Sequence, residues 1–223
     1  MSTIDMRARL VLVSIMIGLL LGGHPVSAQQ EMSYDELSVL AVQAFTQKSY
    51  AVAVERYREL IRRYPVAEGR DGSLLNLGKS YLALEQEEQA LLTLEQLRSD
   101  YPTSDVLPEA LALLYPRYLA HDATPQAEAV WMRMITGWPE SPYMRQVIRA
   151  FFDDAARRHP ERCITKVEEI AVLRWSPGAL GEAVFTPLLQ AGRFDEARAI
   201  EQRLSAIAHG TRREYLNSFT MQH

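Results

Sequence analysis

The stretch "DYPTSD", Asp100 to Asp105, ends a run of helix-forming residues with an aromatic–proline pair and a polar turn. The same event occurs upstream in "RYPVAE" (Arg63 to Glu68) and downstream in "GWPESP" (Gly137 to Pro142). The three prolines, Pro65, Pro102 and Pro139, are 37 residues apart each time. A fixed spacing of this size marks a repeat architecture, in which each unit is one supersecondary element stacked on the next.

With the prolines aligned, other columns follow at the same spacing. Leu37, Leu74 and Leu111 form one, and Leu40, Leu77 and Leu114 a second. Ala53, Ala90 and Ala127 supply a small residue, followed by the bulky column Tyr57, Leu94 and Trp131 and then by Leu60, Leu97 and Met134. The residue before each proline is Tyr64, Tyr101 or Trp138. A polar break separates the leucine pair from the alanine. Beyond it, apolar residues recur at spacings of three and four, as a helix burying one face requires. Each unit is therefore two helices, A and B. The alanine column lets the two backbones approach, and Gly78 does the same from helix A of the second unit. Proline biases its predecessor away from helical geometry and cannot donate the next hydrogen bond, so the aromatic–proline pair ends helix B. Ser104 or Ser141 is expected to cap the next helix A, Ser141 with Pro142 at the first helical position.

The segment "LLNLGKSYLALEQEEQALLTLEQLRSDYP" (Leu74 to Pro102) carries Leu74, Leu77, Gly78, Tyr81, Ala90, Leu97 and Pro102. In that order it resembles the tetratricopeptide repeat, a helical hairpin with small residues at the A–B contact and a proline after helix B. The resemblance covers Tyr34 to Pro142. The unit is longer than the usual repeat of about 34 residues. That lengthened form, with a Tyr-Pro-x-Ser joint, is similar to the repeats of Tol–Pal-associated periplasmic proteins and outer-membrane assembly lipoproteins of the bacterial envelope. The fold implied is all-α: a right-handed α-solenoid of about five hairpins closed by a capping helix. A fourth unit is expected at Tyr143 to Arg157 and Pro160 to Trp175. A fifth is expected at Ala179 to Gln190 followed by "GRFDEARAIEQRL", with Phe194 and Ala197 in family positions. "TRRE" (Thr211 to Glu214) reads as a capping box opening the last helix, with Leu216 and Phe219 inward. Pro116 and Pro187 fall inside helix A of the third and fifth units, where proline kinks a helix.

Residues 1–28 read as a cleavable signal peptide and 29–223 as the repeat domain. Arg7 and Arg9 precede the apolar run Leu10 to Leu21, and Val26 and Ala28 stand at the offsets signal peptidase requires. The run is shorter than the roughly 20 residues that span a bilayer, so no stable membrane span is expected after cleavage. The mature protein is expected in the periplasm. Removing the leader takes the formal charge from −4 to −5, and a mildly acidic chain without a basic stripe argues against nucleic-acid partners. Cys163 is the single cysteine, with no partner for an internal disulfide, and is expected to be buried.

No catalytic motif is visible, and neither a cofactor nor a metal is expected. Asp153, Asp154, His159 and Cys163 cluster in sequence, but Pro160 breaks the helix between the acids and the thiol, and no second ligand cluster exists. His121 and Asp122 fall in an A–B turn, where polar residues are ordinary. What remains is a surface. The family resemblance implies that helix A residues line a groove holding a protein or peptide partner. By position these are Ser38, Val42 and Phe45, then Leu75, Lys79 and Leu82, then Ala112 and Leu119. Ser38 and Val42 replace the polar residues that grip a carboxylate in chaperone-tail binders, so an apolar peptide or amphipathic helix is the expected ligand. The reading is a non-enzymatic envelope adaptor. The alternative is an accessory subunit of an outer-membrane assembly or secretion machine.

Overall fold

The computed structural model describes residues 32–171 and 181–206. The signal peptide, the end of the fourth unit and the capping box at Thr211 lie outside them. Among the described residues the chain is all helix, arranged as hairpins stacked in chain order. Helices α1 (Tyr34–Thr46) and α2 (Tyr50–Arg63) form the first, α3 (Arg70–Ala83) and α4 (Glu87–Asp100) the second, α5 (Leu107–Ala120) and α6 (Thr124–Gly137) the third. Helix α7 (Pro142–Arg158) opens the fourth.

Local chemistry sets these boundaries. Ser33 Oγ accepts from the Glu36 amide at 3.3 Å, and the Glu36 carboxylate accepts from the Ser33 amide at 2.9 Å. This reciprocal box opens α1 and holds the Glu36 carboxyl below its ordinary pKa, chiefly through the backbone bond. Tyr64, Tyr101 and Trp138 each end a B helix, their amides donating at 2.9 Å to Leu60, Leu97 and Met134. The first two rings fold back to the start of their own A helix. Tyr64 stands edge-on to Tyr34 at 5.6 Å and donates to the Met32 carbonyl, and the Tyr101 hydroxyl accepts from Arg70. Ser141 caps α7, accepting from the Tyr143 amide at 3.2 Å. Ser104 does not take the cap position of α5, which belongs to Val106. It accepts from the Val106 amide and donates to Asp71 in the preceding A helix, tying two repeats together.

The A–B turns share a feature absent from the apolar columns. Lys48, Glu85 and Asp122, again 37 apart, have φ of 59°, 58° and 54°. This left-handed residue lets the next amide reach back to the helix: Ser49 to Ala44, Gln86 to Tyr81 and Ala123 to Tyr118, at 2.8–2.9 Å. At Gly78 the close approach of α3 to α4 is direct, since a Cβ there would lie 2.7 Å from Leu94 Cδ2.

The stack changes character after the third hairpin. Helix α7 packs chiefly on α5 and little on α6, so the A helices contact one another more than in the first two units. The expected second helix of unit four is broken into α8 (Glu161–Thr165) and α9 (Val167–Ala171). The break is at Lys166, which is buried. Its ammonium sits 2.7 Å from Glu128 and 3.1 Å from Glu169, and 4.9 Å above the Trp131 ring, while Trp131 Nε1 donates to Glu169 at 2.5 Å. A buried charge paired on two sides justifies an interrupted helix. In unit five, a π-helical turn (Gly181–Phe185) leads into α10 (Thr186–Gln190), which places Pro187 in its first turn, where its missing donor costs little. A last helix spans 194–206. Ala197 is buried there, but Phe194 is 64% exposed and does not join the core as its family position implied. Helix α5 runs unbroken through Pro116.

Candidate functional site

The expected groove residues separate into two groups. Val42, Phe45, Lys79 and Leu82 keep accessible surface on the A layer. Ser38 is half-buried, its hydroxyl donating to the Asp35 carbonyl at 2.9 Å. Leu75, Ala112 and Leu119 are only 4%, 5% and 7% exposed and belong to the main buried cluster, together with Leu107, Leu111 and Tyr115. They are core, which corrects their assignment as groove anchors. The physical reason is that all three join the cluster shared between stacked units, with α5 packed on both α4 and α7, while Lys79 and Leu82 of the same layer stay accessible.

What the structure brings together instead is a strip across four A helices. Phe45 in α1 meets Tyr50 edge-on at 5.9 Å, and the Lys79 ammonium of α3 lies 5.5 Å over the Phe45 ring. Lys79 donates at 2.7 Å to one carboxylate oxygen of Glu109 in α5. The other oxygen accepts from the Tyr143 hydroxyl of α7 at 2.8 Å, and this bond raises the Tyr143 pKa. Glu109 and Tyr143 escaped the sequence reading. Glu109 follows Lys79 by 30 residues, seven short of the period, so column alignment places it two helical turns away. Only the stagger of successive A helices closes that distance. Beside the strip, Ser38, Val39, Val42, Gln43 and Thr46 line a wide depression of about 420 Å³ on α1.

The residues weighed for metal binding are engaged elsewhere. Asp154 and Asp122 both pair with Arg158, His159 lies 3.6 Å from Glu161, and Asp153 is 3.9 Å from Arg149. Among the described residues no group of three or more His, Cys, Asp or Glu side chains converges. Burial pushes the Cys163 thiol up to about 11, which makes it a weak nucleophile at neutral pH.

An arrangement of stacked hairpins with an A-layer strip defines a repeat solenoid. Residues 73–104 match the tetratricopeptide repeat family, so the second hairpin is a repeat of that type. Solved structures agree on the fold. The TPR-like repeats of a protein named as a kinesin light chain from Podosopora anserina align in two crystal structures. One is a single-substitution variant, at TM-score 0.55 and 16% identity, covering 82% of this chain and all of that one. The other gives 0.52 and 18%, covering 79% and 95%. BtubC (BKLC) from P. vanneervenii aligns at TM-score 0.55 and 16% identity over 80% of each chain. A search of curated proteins finds no match. No helix among the described residues is long and apolar enough to cross a membrane.

Proposed function

We propose that this protein is a non-enzymatic periplasmic adaptor that holds a protein partner of the cell envelope on its A layer, of the Tol–Pal or cell-wall and division-associated type. The observation that carries this reading is the strip Phe45–Lys79–Glu109–Tyr143, flanked by Val42 and Leu82. It offers an apolar edge beside a charged pair, which suits the apolar and polar faces of an amphipathic helix. The leader-like residues 1–28 and the lengthened repeat support the envelope setting. Capture from an envelope fraction with the tagged full chain tests it. Val42→Asp with Phe45→Asp should lose the captured partner on the order of tenfold or more, with helical circular dichroism unchanged. Undiminished capture by the folded variant refutes the A-layer assignment, and an intact N-terminus on protein in the inner-membrane fraction refutes the export reading.

A further inference from the structure

The interruption between α8 and α9 has no local cause. Glu161–Ala171 reads ERCITKVEEIA, without the proline or glycine that ordinarily breaks a helix. Lys166 itself keeps helical geometry, with φ −82° and ψ −10°. Its amide nevertheless donates to the Ile164 carbonyl. The Arg162 carbonyl, its partner in a continuous helix, accepts the Thr165 hydroxyl at 2.8 Å. A single displaced backbone bond separates the kinked segment from a straight helix.

What holds the kink is tertiary. Lys166 Nζ is bound by Glu128 of α6 at 2.7 Å and by Glu169 of α9, whose two oxygens both lie at 3.1 Å. The ammonium also stands over the ring of Trp131 in α6, and Trp131 Nε1 donates to Glu169. This cluster bridges the B layer of units three and four, where the backbones of α8 and α9 come little into contact with α6. On the A layer the same two units meet through α5 and α7. The ammonium is buried, but the Glu128 and Glu169 side chains are 46% and 37% exposed, so water competes for both carboxylates. Desolvation of the ammonium offsets much of its attraction to them. The bridge is therefore weak beside the apolar core around Cys163, Val167 and Ile170.

We propose that Lys166 is a latch between units three and four. Pinned to Glu128 and Trp131, it keeps α8 and α9 kinked against α6. Released, residues 161–171 close into one straight helix, and unit four pivots on the α5–α7 contact away from α6. The A layer then changes curvature while every hairpin stays folded. The latch is independent of what the A layer binds. Spin labels at Met132→Cys and Ile164→Cys, both exposed positions, report the α6–α8 separation in the full chain, while the buried Cys163 stays unlabelled. With Glu128 intact the distance should be single and narrow. Glu128→Gln should add a second, longer distance. Glu128→Lys, which sets two ammonium groups against each other, should make the longer distance the major one, with helical circular dichroism undiminished. Lys166→Met keeps an unbranched side chain over Trp131 and removes the charge. Hydrogen exchange at the amide of residue 166 should then slow severalfold, as its helical bond forms. An unchanged narrow distance in Glu128→Lys overturns the latch. So does loss of helicity in that variant, which would make the cluster a requirement of the fold, or unchanged exchange in Lys166→Met.

Discussion

Gly78→Ala tests the closest contact in the solenoid. The new methyl would stand 2.7 Å from Leu94 Cδ2 and 2.8 Å from its Cγ. The nearer atoms include the branch point of a fully buried side chain, not a flexible tip, so α3 and α4 must separate or Leu94 must leave its rotamer. Overpacking of this kind costs about 1–3 kcal/mol. Alanine in a helix interior recovers about 1 kcal/mol over glycine, so the net loss is at most about 2 kcal/mol. The sharper quantity is the difference between backgrounds. In a Leu94→Ala protein, itself destabilised by about 2–5 kcal/mol, the obstruction is gone and only the helix preference remains. Gly78→Ala should then stabilise by about 1 kcal/mol. Urea unfolding followed by circular dichroism on the four proteins gives a coupling of about 1–3 kcal/mol. The same stabilisation by Gly78→Ala in both backgrounds would refute the close approach of α3 and α4.

Two further outcomes follow from the core. Burial raises the Cys163 pKa from 9.0 to about 11, so native protein at neutral pH should react with a thiol reagent far more slowly than urea-unfolded protein. Because the folded pKa is the higher one, this group's contribution to stability is complete below pH 9 and is lost as pH rises towards about 11. Leu75→Asp places a carboxylate in the main buried cluster and should cost more than about 4 kcal/mol. Val42→Asp, at a position 46% exposed, should stay within about 0.5 kcal/mol by the same melting measurement.

The periodic part of the fold was legible because one contact recurs unchanged. Ala53, Ala90 and Ala127, and the bulky column Tyr57, Leu94 and Trp131, are all buried at the A–B contact. The column Leu40, Leu77 and Leu114 shows how an end alters the rule. Leu77 and Leu114 are buried, but Leu40 is 38% exposed, since among the described residues no preceding B helix covers α1. Features that depend on the angle between repeats were not legible. Burial of Leu75, Ala112 and Leu119, and the Lys79–Glu109–Tyr143 connection, arise from stagger and tilt that a column of residues does not encode. In the first three A–B turns the left-handed residue is Lys, Glu or Asp, so no glycine announced it; in unit five it is Gly192. The broken helix at Lys166 follows from Glu128, 38 residues earlier, which supplies a counter-charge to the buried ammonium.

The central claim is that a protein partner sits on the A layer of the first repeats. Val42 on α1 and Val52 on α2 are 46% and 45% exposed, one on each layer of the same hairpin, so exposure does not bias a comparison between them. A photo-crosslinking residue placed at either position in living cells reads the occupied side directly. The account predicts a discrete protein adduct from position 42 and none from position 52. An adduct from 52 alone, or equal adducts from both, would contradict it.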